Sequence, residues 1–271
     1  MSLARQTVEP GVERFQLRTW RGAAVGYDVS AYLIDGVLVD TGFPHVTSEV
    51  RALVREAAPR GVVVTHWHED HAGSVPALAA MKVPMTMRPD CESILRERPS
   101  IRPYRHIVWG RTPRLVDEIV PFDPAPLQLL ATPGHSPDHQ VVWDATRRIV
   151  ASGDLFLGVK VRVAHSHESP RALVASLRAV AALEPRLLLD AHRGVVRDAA
   201  TQLRAKIAWT EDTMADIVAL AARGVSERGI VRRLFGAESF VGWVSAGEYS
   251  RLSFVRAVLR EAKSEDTAHT S

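Results

Sequence analysis

The sequence predicts an α/β protein. Short, apolar, β-branched or leucine-rich runs such as Gly61-Val62-Val63-Val64 and Arg186-Leu187-Leu188-Leu189-Asp190 read as buried strands. Stretches such as Thr47 to Ala57 and Ala199 to Ala222 place apolar residues at helical spacing. A cluster of histidines and acids, Thr65-His66-Trp67-His68-Glu69-Asp70-His71, follows the first of those strands. The C-terminal end of a strand is where α/β proteins tend to place their sites.

The elements follow in order. Residues 13 to 20 read as a first strand. Tyr27 to Gly36 and Val37 to Asp40 read as a hairpin around Asp35-Gly36, closed by Thr41-Gly42. Thr47 to Ala57 puts Val50, Leu53 and Val54 on one helical face. In the cluster, His66 and His68 differ by two and point the same way on an extended backbone. Asp70 and His71 leave on the following turn, a geometry that can feed two neighbouring metals. Ala72-Gly73-Ser74 then turns into a helix over Val75 to Ala80, Lys82 to Met87 reads as a strand, and Asp90 caps a short helix through Leu95.

Arg96 to Arg114 carries six arginines interleaved with Tyr104, His106 and Trp109. Its prolines Pro99, Pro103 and Pro113 argue for an irregular insert, of the kind that often covers a site. It reads either as a grip on an anionic or aromatic substrate group or as a solvated loop. Leu115 to Phe122 and Leu127 to Ala131 read as strands. Thr132-Pro133-Gly134-His135-Ser136-Pro137-Asp138-His139 follows, then a hairpin of Gln140 to Trp143 with Arg148 to Ala151, and then Ser152-Gly153-Asp154.

Gly158 to Glu168 reads as a loop holding His165 and His167. Ser169-Pro170 opens a helix striped by Leu173, Leu177, Val180 and Leu183. The strand Arg186 to Asp190 runs into Ala191-His192-Arg193-Gly194. Helices follow at Ala199 to Ala222, Ser226 to Leu234 and Ser245 to Ala262, and the polar tail Lys263 to Ser271 is expected to fray.

Composition sets outer bounds. The chain has 271 residues, 46% hydrophobic and 24% charged, ordinary values for a globular protein. No apolar run reaches the roughly 18 to 20 residues of a membrane span. The single cysteine, Cys91, rules out an internal disulfide framework, and the start lacks an apolar signal-peptide core. The cytoplasm is the expected compartment. A formal charge of +3 is no nucleic-acid signature alone.

The run His-x-His-x-Asp-His, then Thr-Pro-Gly-His, then an aspartate after a strand and a histidine after a later one, resembles the ordered motifs of the metallo-β-lactamase-fold superfamily. The resemblance covers residues 25 to 195 well and the helical tail loosely. It implies a four-layer αββα sandwich of two mixed sheets over residues 1–198, with a C-terminal helical extension over 199–271 packed on it. It also implies two divalent metal ions, with His66, His68 and His135 on one, Asp70, His71 and His192 on the other, and Asp154 bridging them. Such a donor set suits zinc, with iron and manganese as alternatives.

The same resemblance makes Asp40 a residue that braces the metal loop through hydrogen bonds; otherwise it is a turn residue before Gly42. His139 reads as a packed histidine or one that orients ligands. Arg193 stands where relatives commonly carry glycine and is read as reaching into the site. Relatives of the zinc β-lactamase branch with a cysteine ligand place it where this chain has Asp154, and Cys91 lies far away in sequence, which counts against that branch. Thr-Pro-Gly-His also occurs in the glyoxalase-II-like and endoribonuclease-like groups.

The expected function is a metal-dependent hydrolase in which hydroxide formed at the metals attacks a thioester or ester and Asp70 handles the proton. A phosphodiesterase or endoribonuclease, with the arginine insert gripping backbone phosphates, is the alternative. A lactonase or β-lactam hydrolase and a non-catalytic binder remain as further readings. The short basic insert and low charge favour the acyl substrate, because a nuclease should show a basic track. No Gly-x-Ser-x-Gly elbow and no phosphate-cradling glycine loop is present. Tyr104, Arg105, Trp109, His165 and Arg193 are the expected substrate contacts. The expected partner is a small-molecule substrate, with nucleic acid not favoured, no membrane, and a homodimer left open.

Overall fold

The computed structural model describes residues 2–19, 28–97 and 101–269. Trp20 and Tyr27 of the expected strands, Arg98 and Pro99 of the insert, and the last two residues of the tail lie outside the described residues. The chain divides into two compact units. The first comprises Met1–Ala131, Asp138–Leu157 and Pro185–Ala199, and the second Thr132–Pro137, Gly158–Glu184 and Ala200–Ser271. The second unit therefore takes in two earlier segments besides the tail after residue 198.

The first unit holds two mixed sheets. One is built of β1 (Ser2–Glu9), β2 (Val12–Arg18), β3 (Val29–Ile34), β4 (Val37–Val39), β5 (Gly61–Val63) and β6 (Met85–Thr86), in that spatial order. The first four strands are antiparallel; β5 and β6 then add in parallel. Helix α1 (Thr47–Ala57) carries the crossover from β4 to β5, with Val50, Leu53 and Val54 buried as their spacing predicts. A single turn, α2 (Glu69–Ala72), and α3 (Val75–Ala80) lie between β5 and β6, followed by α4 (Pro89–Glu97) and α5 (Pro103–Val108).

The second sheet has the order β12-β11-β9-β8-β7, where β7 is Gln128–Ala131, β8 Gln140–Asp144, β9 Ile149–Gly153, β11 Leu187–Asp190 and β12 Gly194–Arg197. Val12, Ile34, Val37, Val39 and Val63 of the first sheet meet Val142, Ile149, Ala151, Leu187 and Leu189 of the second in one core. The opposite face of the first sheet packs Phe15, Leu17, Leu38 and Val62 against helix residues that include Val50, Leu53, Leu78 and Leu95. The two sheets thus pack face to face, and helices cover the outer face of the first.

The second unit carries the short pair β10 (Ala164–His165) and β13 (Tyr249–Ser250). It also carries α6 (Pro170–Ala181), α7 (Ala199–Ala222), α8 (Glu227–Phe235), α9 (Phe240–Val244) and α10 (Arg251–His269). Its core joins Ile217, Ile230, Val231, Phe254, Val255 and Val258. No helix among the described residues is long and apolar enough to cross a membrane.

Several sequence expectations need correction. Strands β1 and β12 form although the sequence predicts neither, because each completes a hairpin with a neighbour, β2 and β11. Leu115 to Phe122 is not a strand: its pairing is limited to the single bridge of Pro121 with Met85, and Val116 is 74% exposed. The insert is not wholly irregular, since Pro103 opens a helix at a position that needs no N–H. The tail does not end its helix at residue 262 but continues to His269.

Leu189 is fully buried between the two sheets. Leu189→Ala should destabilise the first unit by about 3 kcal/mol through lost transfer energy and a residual cavity. Urea unfolding checks this; a loss below about 1 kcal/mol would mean the core collapses into the space.

Candidate metal centre

Parallel strand pairing gathers the site. β4 and β5 run side by side with Val39 opposite Val63, so Asp40 and Thr65, which follow them, become neighbours. β9 and β11 are also parallel, with Gly153 opposite Asp190, which brings Asp154 and His192 to one strand end. β8 is antiparallel to β9, so His139, just before β8, reaches the same end.

Asp40 adopts a left-handed φ of 66° and is buried. One carboxylate oxygen accepts the Thr65 N–H at 2.8 Å. The other accepts the Thr65 hydroxyl at 2.9 Å and His71 Nδ1 at 2.8 Å. Because Asp40 takes the Nδ1 proton, His71 presents Nε2 to Asp154 Oδ1, 3.1 Å away. His192 is built the same way: Nδ1 donates to the Asp28 carbonyl at 3.0 Å, and Nε2 lies 3.3 Å from Asp154 Oδ1 and 3.4 Å from Asp70 Oδ2. The Thr65 hydroxyl, spent on Asp40, can only accept from His66 Nδ1 at 3.0 Å, which leaves His66 Nε2 facing His68 Nδ1 at 3.1 Å.

Two ligand-rich groups result. His66, His68 and Asp154 each offer an atom, all within 4.8 Å of one another, and so do Asp70, His71 and His192. Four imidazoles and two carboxylates, with His66, His71 and His192 oriented from behind by oxygen partners, fit divalent ions such as zinc. Asp154 faces both groups. His139 accepts the Asp154 N–H on its Nε2 at 3.1 Å and so holds the turn that carries this carboxylate.

Burial works against charge at these groups, but their mutual attraction prevails. Burial disfavours the Asp154 carboxylate, yet His71 and His192 hold its pKa well below the usual range. Asp70 is lowered likewise against burial, by His71 and His192. Burial would lower His71 and His192, but Asp154, with Asp40 and Asp70 for His71 and Asp70 for His192, raises both well above an ordinary histidine.

His135 belongs to the second unit. Thr132–Pro137 packs on α6: Ser176 Oγ donates to the Pro133 carbonyl at 2.7 Å, and a Cβ at Gly134 would sit 2.4 Å from the Leu173 backbone. Glycine is required there, and it holds His135 with Nδ1 3.3 Å from Glu168. His165 is buried in the same unit, stacked on Tyr249 with ring centroids 4.5 Å apart.

The expected substrate contacts of the insert fare differently. Arg105 is 4% exposed and clasps Glu69 with two nitrogens, so it serves the interior and not a substrate. Trp109 is a core residue against Phe43, at 5.1 Å between centroids. Tyr104 is half-buried. Arg193 donates Nε to the Leu157 carbonyl at 2.9 Å. Asp190 went unnoticed in the sequence: fully buried, it accepts the N–H groups of His192, Arg193 and Leu157 at 3.0, 2.7 and 3.0 Å and so shapes the His192 turn. Asp138, also missed, accepts the Trp67 N–H at 2.8 Å. The only signal of either was an acid within two positions of a histidine.

A family model described as the metallo-beta-lactamase superfamily matches residues 24–192, more than half of the chain. The chain belongs to that superfamily. Over 133 residues it is 33% identical to the Beta-lactamase-like protein 2 homolog of Caenorhabditis elegans, covering 45% of this chain and 41% of that protein. Over 175 residues it is 29% identical to the Atrochrysone carboxyl ACP thioesterase of Aspergillus fumigatus, covering 62% of this chain and 37% of that protein. Both matches span less than half of the relative's own length. A metallo-beta-lactamase family protein of Thermus thermophilus superimposes with a TM-score of 0.67 over 96% of this chain and 95% of that one, at 16% identity, a likeness of fold alone.

The centre of this superfamily member can be probed in two ways. Gly153 has φ 47°, and a Cβ there would lie 2.8 Å from His139 Nε2 and 2.9 Å from Thr65 Oγ1. Gly153→Ala should therefore lower bound zinc, measured by elemental analysis, as well as the melting temperature; unchanged zinc would show that the strand end shifts without cost. In metal-stripped protein, the raised His71 and His192 stabilise the fold below their ordinary pKa, and this contribution is lost as pH rises through the raised values. The lowered Asp70 and Asp154 contribute above their ordinary pKa and lose that contribution as pH falls through the lowered values. The melting temperature of chelated protein should be highest between those limits, and a flat profile into alkaline pH would contradict the reading.

Proposed function

We propose that the chain is a dinuclear metal-dependent hydrolase of acyl substrates, a thioester or ester. The observation that carries this is Asp154 Oδ1, which faces the His71 and His192 nitrogens at 3.1 and 3.3 Å while the same carboxylate belongs to the His66–His68 group. A carboxylate shared in this way would serve both ions if each group held one. His135, which the family pattern places on the first ion, is included in the proposed set with His66 and His68. Zinc is the proposed ion.

When bound, the ions supply a Lewis acid and water of lowered pKa. The remaining work belongs to side chains. Asp70 is 7% exposed and is held charged by His71 and His192, so it can accept a proton from attacking water and hand it to the leaving group. Asp40, His139 and Asp190 keep the donors oriented. The burial of the centre excludes bulk water and strengthens each of these interactions.

The acyl reading gains support from the relative named an ACP thioesterase. The arginine insert supports a phosphate grip less than its composition suggested, because Arg105 is consumed by Glu69 and Arg96 pairs with Glu92 at 2.7 Å. Initial rates of metal-replete protein on a thioester, a lactone, a β-lactam and a phosphodiester test the reading. The expected preference is the thioester, with Asp70→Asn losing at least about 100-fold as expected for a general acid–base group. A phosphodiester preference, or full turnover in that variant, would overturn it. His135→Ala should lower bound metal, and two ions retained per chain would remove His135 from the set.

A further inference from the structure

We propose that Arg105 is a positioning residue that sets the geometry of the ligand run His66 to His71 from behind. The inference rests on the metal-centre reading above and adds a residue that no motif contains. In the run His66-Trp67-His68-Glu69-Asp70, proposed ligands alternate with Trp67 and Glu69. Arg105 touches both of the alternating residues. Its guanidinium clasps the Glu69 carboxylate with two nitrogens, Nε to Oε1 at 2.7 Å and Nη2 to Oε2. The same guanidinium lies over the Trp67 ring, 5.7 Å from its centroid. Arg105 and Glu69 are 4% and 2% exposed, so the pair is desolvated on both sides.

The clasp has a firm base. Glu69 opens the single turn α2, whose next two residues are Asp70 and His71. Arg105 lies on α5, and the following Trp109 packs on Phe43 and gives its carbonyl to the His45 N–H at 3.2 Å. Phe43 ends the loop whose Thr41 N–H donates to the His71 carbonyl at 2.7 Å and whose Gly42 carbonyl accepts from Gly73 at 2.9 Å. The metal turn is thus gripped from the Asp40 loop on one side and from Arg105 on the other. A planar, two-nitrogen fork fixes both position and rotation of its partner, which an ammonium does not.

The test is zinc affinity, read by competition with a chromophoric chelator, together with the melting temperature of metal-free protein. Arg105→Met should weaken zinc binding about 10- to 100-fold, the usual cost of losing an outer partner of a metal site. Arg105→Lys should recover only part of it. If Arg105→Met alone folds poorly, the double variant Glu69→Met with Arg105→Met removes both charges and should fold, because a buried pair replaced by apolar side chains is tolerated where a broken one is not. It should still bind zinc weakly. Val255→Ala in the second unit, buried in a separate core, serves as a control that lowers stability without touching the clasp. Weakened zinc in Arg105→Met and the double variant, with normal zinc in the control, supports the proposal. Wild-type affinity in either clasp variant, or an equal loss in the control, overturns it. A wild-type chain that binds no zinc would instead sink the metal-centre reading itself.

Discussion

The Asp40 carboxylate is the constraint on which the site depends. It sits between two parallel strand ends and accepts three donors, one backbone N–H and one hydroxyl from Thr65 and one ring nitrogen from His71. A buried carboxylate is costly unless its lone pairs are met, and three donors meet them. Each donor also transmits order. The Thr65 N–H fixes the chain leaving β5, and its hydroxyl then fixes the tautomer of His66. The His71 contact fixes the ring at the far end of the ligand run. The left-handed backbone at Asp40 is the local cost of aiming a carboxylate along the strand end, and an aspartate tolerates it better than a larger side chain.

The second sheet repeats the device with different residues. Asp190 accepts three backbone N–H groups around the turn that presents His192, as Asp40 accepts donors around the run that presents His66 and His71. In both sheets a buried aspartate at the end of a strand converts a flexible turn into a rigid one. The proposed ligand carboxylates Asp70 and Asp154 are then placed among imidazoles held by other partners. This division between acids that brace and acids that face inward explains how four aspartates can lie at one end of a sandwich. The bracing acids are neutralised by hydrogen bonds. The facing acids are neutralised by imidazolium, or by a cation that takes its place.

Much of this was legible in the sequence, and the residue types show why. The run His66 to His71 stands out because histidines and an acid just after a β-branched strand are hard to explain as packing, whereas Asp154 and His192 follow from the ordered motifs of the family resemblance. The hairpin around Asp35-Gly36, helix α1 and the Ser169-Pro170 start of α6 follow from turn chemistry, apolar spacing and capping. Strand β1 was not legible, because Arg5, Gln6 and Thr7 alternate with nothing strongly apolar and gain their strand state from pairing with β2. The false strand at Leu115 to Phe122 had the opposite fault, apolar residues that meet β6 only around Val120 and Pro121. Asp138 and Asp190 escaped because an acid that binds backbone N–H groups looks, in sequence, like any turn acid.

Arg105 marks the limit of reading by composition. An arginine among five others and three aromatic or imidazole neighbours looks like part of a surface grip, since arginine is almost never fully buried without a partner. The partner was present all along, as Glu69 inside the ligand run, 36 positions away. Composition counts charges but does not pair them, and pairing decides whether a charge faces solvent or holds a backbone. Once Glu69 is assigned to Arg105, the run resolves into two sets: His66, His68 and Asp70 are the proposed ligands, and Trp67 and Glu69 meet the guanidinium. The bend at Trp67 and His68 and the helical turn that starts at Glu69 bring both side chains to a single planar cation, which holds them together.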